Sequence, residues 1–102
     1  MDNIKEIQPE ELENRLNNGD DLTVIDVRED EEVEQGMIEG AKHIPLGEIP
    51  ESVSSLDKAD NYVLVCRSGR RSMNAANYLK EHGFKVENMA GGMLEWKGKV
   101  TR

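Results

Sequence analysis

Two short apolar runs constrain this chain more than any other feature: Leu22-Thr23-Val24-Ile25-Asp26-Val27 and Tyr62-Val63-Leu64-Val65. Both are rich in β-branched residues and read as buried strands. Helical patterns are interleaved with them. Ile4 to Ile7 alternates apolar and polar, as a short strand does. Pro9 suits a first helical turn, with Glu10 and Glu11 at its positive end. Leu12 and Leu16 share one face of that helix, and Asn17-Asn18-Gly19-Asp20 stops it. Arg28 to Gln35 reads as a short acidic helix closed by Gly36, with Glu29 to Glu32 as a solvated face. Ala41 to Ile44 reads as a short strand before Pro45, and Pro50 to Leu56 carries only a weak helical pattern. Ser72 to His82 reads as a helix with Ala75, Ala76 and Leu79 on one side and Gly83 as its cap. Phe84 to Val86 starts another strand, Gly91-Gly92 marks a tight turn, and Met93 to Lys97 forms a last helical turn. Strands alternating with helices predict an α/β fold, a parallel sheet covered on both faces.

The 102 residues suffice for one domain, expected to span 1–102. The net charge of −8 argues against nucleic acid or an anionic membrane surface as a partner. No apolar run is long enough to span a bilayer, and the N-terminus lacks a basic start followed by an apolar block. A single cysteine cannot form an internal disulfide. A cytoplasmic protein is therefore expected. One Cys with two separated His, His43 and His82, gives no metal-ligand spacing, and neither a metal nor a cofactor is expected.

The stretch that follows the second apolar run is Cys66-Arg67-Ser68-Gly69-Arg70-Arg71-Ser72. It holds the only cysteine and three of the thirteen basic residues of an acidic chain. An isolated cysteine at a strand end is most often a small buried hydrophobe. Here the context differs. Gly69 permits a tight loop with positive φ, whose successive N–H groups can form an anion nest. The helix expected from Ser72 aims its N-terminus at the same place. These features and the arginines favour a thiolate, moving the pKa from about 8.5 towards roughly 3.5–7.5. Arg67, Arg70 and Arg71 read as anion-binding residues, against the alternative of surface solubility. Ser68 and Ser72 either donate hydrogen bonds to the bound group or serve as loop and cap residues. Tyrosine-specific cysteine phosphatases place Arg after Cys and five residues. Here that position is Ser72 and Arg71 comes one residue early, so the cradle is smaller and suits one sulfur atom on the thiol better than a phosphate.

"CRSGRRS" resembles the active-site loop of single-domain rhodaneses, the thiosulfate and persulfide sulfurtransferases. "VIDVREDEE" (24–32) resembles that family's Asp-x-Arg strand end. "GMIEGAKHIPL" (36–46) resembles its Gly-His-Ile-x-Gly-Ala segment, with Met37 at the usual His position. "VENMAGGMLEW" (86–96) resembles its closing Gly-Gly and Trp motif. The resemblance covers nearly the whole chain. It implies a rhodanese-like three-layer α/β/α fold with a five-stranded parallel sheet in the order 3-2-4-5-1. The ends of the strands finishing at Asp26 and Val65 would then flank a ligand crevice.

The activity implied is thiosulfate sulfurtransferase, with Cys66 as the catalytic nucleophile carrying a persulfide. Partners would be small sulfur anions such as thiosulfate, and thiol acceptors or a sulfur-relay protein. A persulfide carrier with little turnover of its own is the second reading, and a phosphatase or arsenate reductase the third. The short loop argues against a phosphatase, and the lack of a second Cys against a reductase needing an internal resolving thiol. Asp26 and Arg28 read as a structural ion pair in preference to substrate contacts. Trp96 reads as a packing anchor, and Met89 and Met93 as core, with the mouth of the pocket as their alternative place. His43 and His82 are not needed as bases by a thiol already ionised.

Overall fold

The computed structural model describes residues 3–102. The main sheet contains β1 (Lys5–Ile7), β2 (Thr23–Asp26), β3 (Lys42–His43), β4 (Asn61–Val65) and β5 (Lys85–Met89). All pairs are parallel and the spatial order is 3-2-4-5-1. The helices are α1 (Pro9–Asn17), α2 (Asp30–Val33), α3 (Ile49–Ser52) and α4 (Arg70–Glu81). This is the α/β architecture that the alternation predicts. No helix among the described residues is long and apolar enough to cross a membrane.

The two apolar runs form the middle of the sheet, paired from Thr23 opposite Tyr62 to Asp26 opposite Val65. Successive side chains of a strand point to opposite faces, so a strand covered on both sides must be apolar throughout. Ile25, Tyr62 and Leu64 join Ala75, Ala76 and Leu79 of α4 on one face. Val24, Val63 and Val65 join Leu12 of α1 and Met89 on the other. Full burial of each large aliphatic side chain contributes about 1.5–3 kcal/mol. A polar substitution in either run would therefore disturb one complete layer.

Several boundaries differ from the sequence expectation. The acidic helix shrinks to Asp30–Val33 because Glu29 is still extended, with ψ of 165°. The weak segment splits into α3 and a 3₁₀ turn at Val53–Ser55. The last turn is also 3₁₀, over Gly92–Glu95. Helix α4 begins at Arg70, two residues before the expected Ser72, because Gly69 adopts φ of 102° and caps it. The antiparallel ribbon joining Met37–Ile38 to Val100–Thr101 has no counterpart in the sequence reading. Met37 is half-buried in that ribbon, 37 residues in from one end of the chain and paired with Thr101 near the other.

The closing turn packs by backbone on the end of β4. Met93 N–H donates to the Cys66 carbonyl at 2.8 Å and Leu94 N–H to the Arg67 carbonyl at 3.0 Å. Only glycine allows this approach at position 92. Its φ is +62°, and a Cβ there would lie 2.6 Å from the Cys66 carbonyl oxygen and would overlap the Arg67 carbonyl. Gly92→Ala should therefore destabilise the protein by about 3 kcal/mol. Gly47→Ala, where nothing lies within 4 Å of the added carbon, should stay within about 0.5 kcal/mol. Urea denaturation of the two variants measures the contrast, and equal midpoints would contradict it.

Candidate active site

Cys66 is the first residue after β4, at the carboxyl end of the sheet beside the end of β2. The chain turns from there directly into α4. The Gly69 N–H donates to the Cys66 Sγ at 3.0 Å and the Ser72 hydroxyl donates to it at 3.3 Å. Because α4 starts at Arg70, Ser72 lies inside its first turn and is buried. Its hydroxyl faces the sulfur instead of capping the helix.

The thiol is fully enclosed, with 0% exposure. The backbone of the 92–95 turn packs on the carbonyls of Cys66 and Arg67, while the Ser72 hydroxyl and Gly69 N–H occupy the polar side of the sulfur. Burial pushes the thiol pKa up. The Ser72 hydroxyl and the N–H groups of Ser72, Gly69 and Ser68 act the other way, and the net result is below the ordinary value. The leading stabilisers of the thiolate are thus loop dipoles, where the sequence pointed equally to the arginines.

The three arginines have separate surroundings. Arg67 and Arg70 are exposed and form no ion pair among the described residues. Arg71 makes a two-pronged pair with Glu32, Nη1 to Oε1 at 2.7 Å and Nη2 to Oε2 at 2.8 Å. That hydrogen bond raises the Arg71 pKa, and a smaller contribution comes from the charge of Cys66. Glu32 was read as part of a solvated acidic face. Glu29, Asp30 and Glu31 are indeed exposed, but Glu32 is half-buried against α4. No local pattern could have revealed the partner, which lies 39 residues along the chain.

Asp26 and Arg28 complete the floor. Arg28 Nη2 stands 2.8 Å from Asp26 Oδ2, its Nε lies 3.0 and 3.1 Å from the two carboxylate oxygens, and both residues are buried. Arg28 also donates to the carbonyls of Gly36 and Glu32. It therefore ties β2 to the C-terminal turn of α2 and to Gly36 beyond it. A shallow recess of about 270 Å³ opens beside the loop, lined by Arg28, Glu32, Gln35, Arg67, Met93 and Leu94. Met93 lines this recess, the alternative place the sequence allows it, and is half-buried against the core. Met89 is fully buried. A slightly larger groove of about 300 Å³ lies against Trp96, Leu16 and Ile38. Trp96 is only half-buried, and its indole N–H donates to the Lys99 carbonyl at 3.2 Å.

A cysteine at a strand end, enclosed by N–H donors at the start of a helix, is common to more than one chemistry. Comparison with known proteins decides the family: the profile of the Rhodanese-like domain matches residues 8–99. The chain belongs to the rhodanese-like family. Among its relatives is Bacillus subtilis YtwF, provisionally named a sulfurtransferase, which is 52% identical over 97 residues, covering 95% of this chain and 94% of that protein. Bacillus subtilis YrkF, provisionally named a sulfur carrier protein, is 42% identical over 98 residues, covering 95% of this chain and 53% of that one. The crystal structure of a rhodanese-like domain protein from Staphylococcus aureus superposes with a TM-score of 0.90 at 36% identity, covering 96% of this chain and 97% of that chain.

Two measurements follow from this rhodanese-like site. The Arg71 hydrogen bond lowers the Glu32 pKa from 4.5 to about 2. A folded-state pKa below the unfolded one stabilises fully above the unfolded value and loses its effect as pH falls through the folded value. Wild type should exceed Glu32→Gln in stability by about 1 kcal/mol at pH 7, after screening of a pair exposed to 32% and 28%. The gap should close between about pH 4.5 and 2 in urea titrations. Separately, the rate of iodoacetamide alkylation of Cys66 should show a midpoint below about 8.5. A midpoint at or above that value would mean that burial outweighs the loop donors.

Proposed function

We propose that this protein moves a sulfane sulfur through a persulfide on Cys66, with residues 1–102 working as one rhodanese-like domain. The observation that carries the reading is the convergence of the Gly69 N–H and the Ser72 hydroxyl on the only thiol. Fixed donors aimed at a sulfur favour its anion, the nucleophilic form, without a separate base.

In the forward step the Cys66 thiolate attacks the outer sulfur of thiosulfate. The S–S bond of thiosulfate breaks, its electron pair leaves with sulfite, and Cys66 becomes a persulfide. In the second step an acceptor thiolate or cyanide attacks the terminal sulfur, the persulfide S–S bond breaks, and the Cys66 thiolate returns. The exposed Arg67 and Arg70 are the guanidinium groups free to meet an incoming anion. Arg71, engaged by Glu32, holds the loop to α2. Gly69 and Ser72, with Ser68, supply the donors. Asp26 and Arg28 support the crevice floor. Because the sulfur has no exposed surface, contact with either substrate requires a local opening of the loop or of the 92–95 turn.

A second reading is a persulfide carrier that receives sulfur from a partner protein and passes it on. The −8 charge supports it, since it opposes capture of a free dianion. The carrier name of YrkF points the same way.

Brief thiosulfate treatment should raise the intact mass by one sulfur, about 32 Da, on wild type and not on Cys66→Ser. Steady-state thiosulfate:cyanide kinetics beside a phosphate-ester control separates the readings. Turnover with the first pair supports the enzyme. An adduct without turnover supports the carrier. Phosphate-ester hydrolysis without an adduct, or sulfur transfer by Cys66→Ser, would overturn both.

A further inference from the structure

Asn88 lies in β5 between Glu6 of β1 and Leu64 of β4. Its side chain has no exposed surface. The amide Nδ2 donates to the Gly69 carbonyl at 3.1 Å and to Glu6 Oε2 at 3.2 Å. Its Oδ1 is buried with no hydrogen-bond partner among the described residues. An unpaired buried acceptor is a net cost to folding that an aliphatic side chain of similar size would avoid. What the amide NH₂ does must therefore offset that cost.

We propose that Asn88 is a positioning residue that holds the Gly69 carbonyl and thereby keeps the Gly69 N–H on the Cys66 sulfur. Gly69 stands at φ of 102°, a conformation open to glycine, the residue with most freedom to leave it. Two contacts restrain its carbonyl: Asn88 from β5 and the Met73 N–H from α4 at 3.2 Å. Its N–H then points at Sγ at 3.0 Å. The second amide hydrogen of Asn88, taken by Glu6, keeps the carboxamide from swivelling. A hydrogen-bonded line thus runs from an exposed carboxylate on β1, through β5, to the loop glycine and the thiol. The charged groups bearing on this line are Glu6 at its outer end and Arg71, paired with Glu32, on the α4 side.

The effect on turnover rests on the Cys66 reading above, whereas the effect on the thiol does not. The experiment is the pH profile of iodoacetamide alkylation on reduced, sulfur-free wild type, Asn88→Leu and Glu6→Ala, each checked for folding by thermal melt. Asn88→Leu should move the midpoint up by about one pH unit, the scale of one hydrogen bond to a charged group. Glu6→Ala should move it up by less. That sign is diagnostic, because removing a negative charge without any change of position would move the midpoint down. An unmoved or lowered midpoint in folded Asn88→Leu overturns the proposal. If that variant yields no folded protein, an unmoved or lowered midpoint in Glu6→Ala overturns it equally. A raised midpoint together with no sulfur adduct on wild type would leave the positioning role standing and remove sulfur transfer.

Discussion

A sulfur with no solvent contact can carry negative charge only if the chain itself supplies the dipoles that water would have provided. That constraint organises this end of the molecule. Burial works against the Cys66 thiolate, and the Ser72 hydroxyl with the N–H groups of Ser72, Gly69 and Ser68 works for it. Such donors must be placed to within a few tenths of an ångström. The start of α4, the left-handed Gly69 and the inward Ser72 are the means. The loop therefore depends on the elements around it. It is anchored in the centre of the sheet, where β4 has a strand on each side and a helical layer on each face.

The arginine cluster, which dominates the sequence, divides in the fold. Arg71 is spent on Glu32, a pair that joins α4 to the short α2 and so closes one side of the crevice. Arg28 does comparable work from the other side, linking the end of β2 through Asp26 to the carbonyls of Glu32 and Gly36. Two of the four guanidinium groups near the crevice are therefore structural by their contacts, and Arg67 and Arg70 remain at the surface. Long-range attraction of anions by the whole protein is opposed by its −8 charge. Any capture has to act within about one Debye length of 8–10 Å.

Two unusual features meet near the thiol. Three of the seven left-handed glycines, Gly69, Gly91 and Gly92, belong to the loop and the turn that packs on it, and an unpaired buried polar atom occurs at Asn88, which contacts Gly69. Departures of this kind collect where a site demands geometry that regular elements cannot provide. Here the demand is for backbone amides to converge on one atom, while the 92–95 turn packs on the carbonyls of Cys66 and Arg67.

The sequence by itself determined the layers and the place of the lone thiol. Short runs of adjacent apolar, largely β-branched residues read as strands covered on both faces. A lone cysteine followed by glycine and a helical pattern marks a strand-to-helix turn. The order 3-2-4-5-1 came from the resemblance of four motifs, because periodicity carries no information about which strands are neighbours. Only the tertiary structure decided that Glu32 takes Arg71, that Asn88 holds Gly69 and that Cys66 is closed off. Each of those depends on residues tens of positions apart meeting in space, and local hydrophobic pattern constrains a residue's face without naming what lies opposite. The early start of α4 has the same origin. Serine is a common cap by its own chemistry, but here a left-handed glycine three residues before the expected start took the capping position and freed the Ser72 hydroxyl for the sulfur.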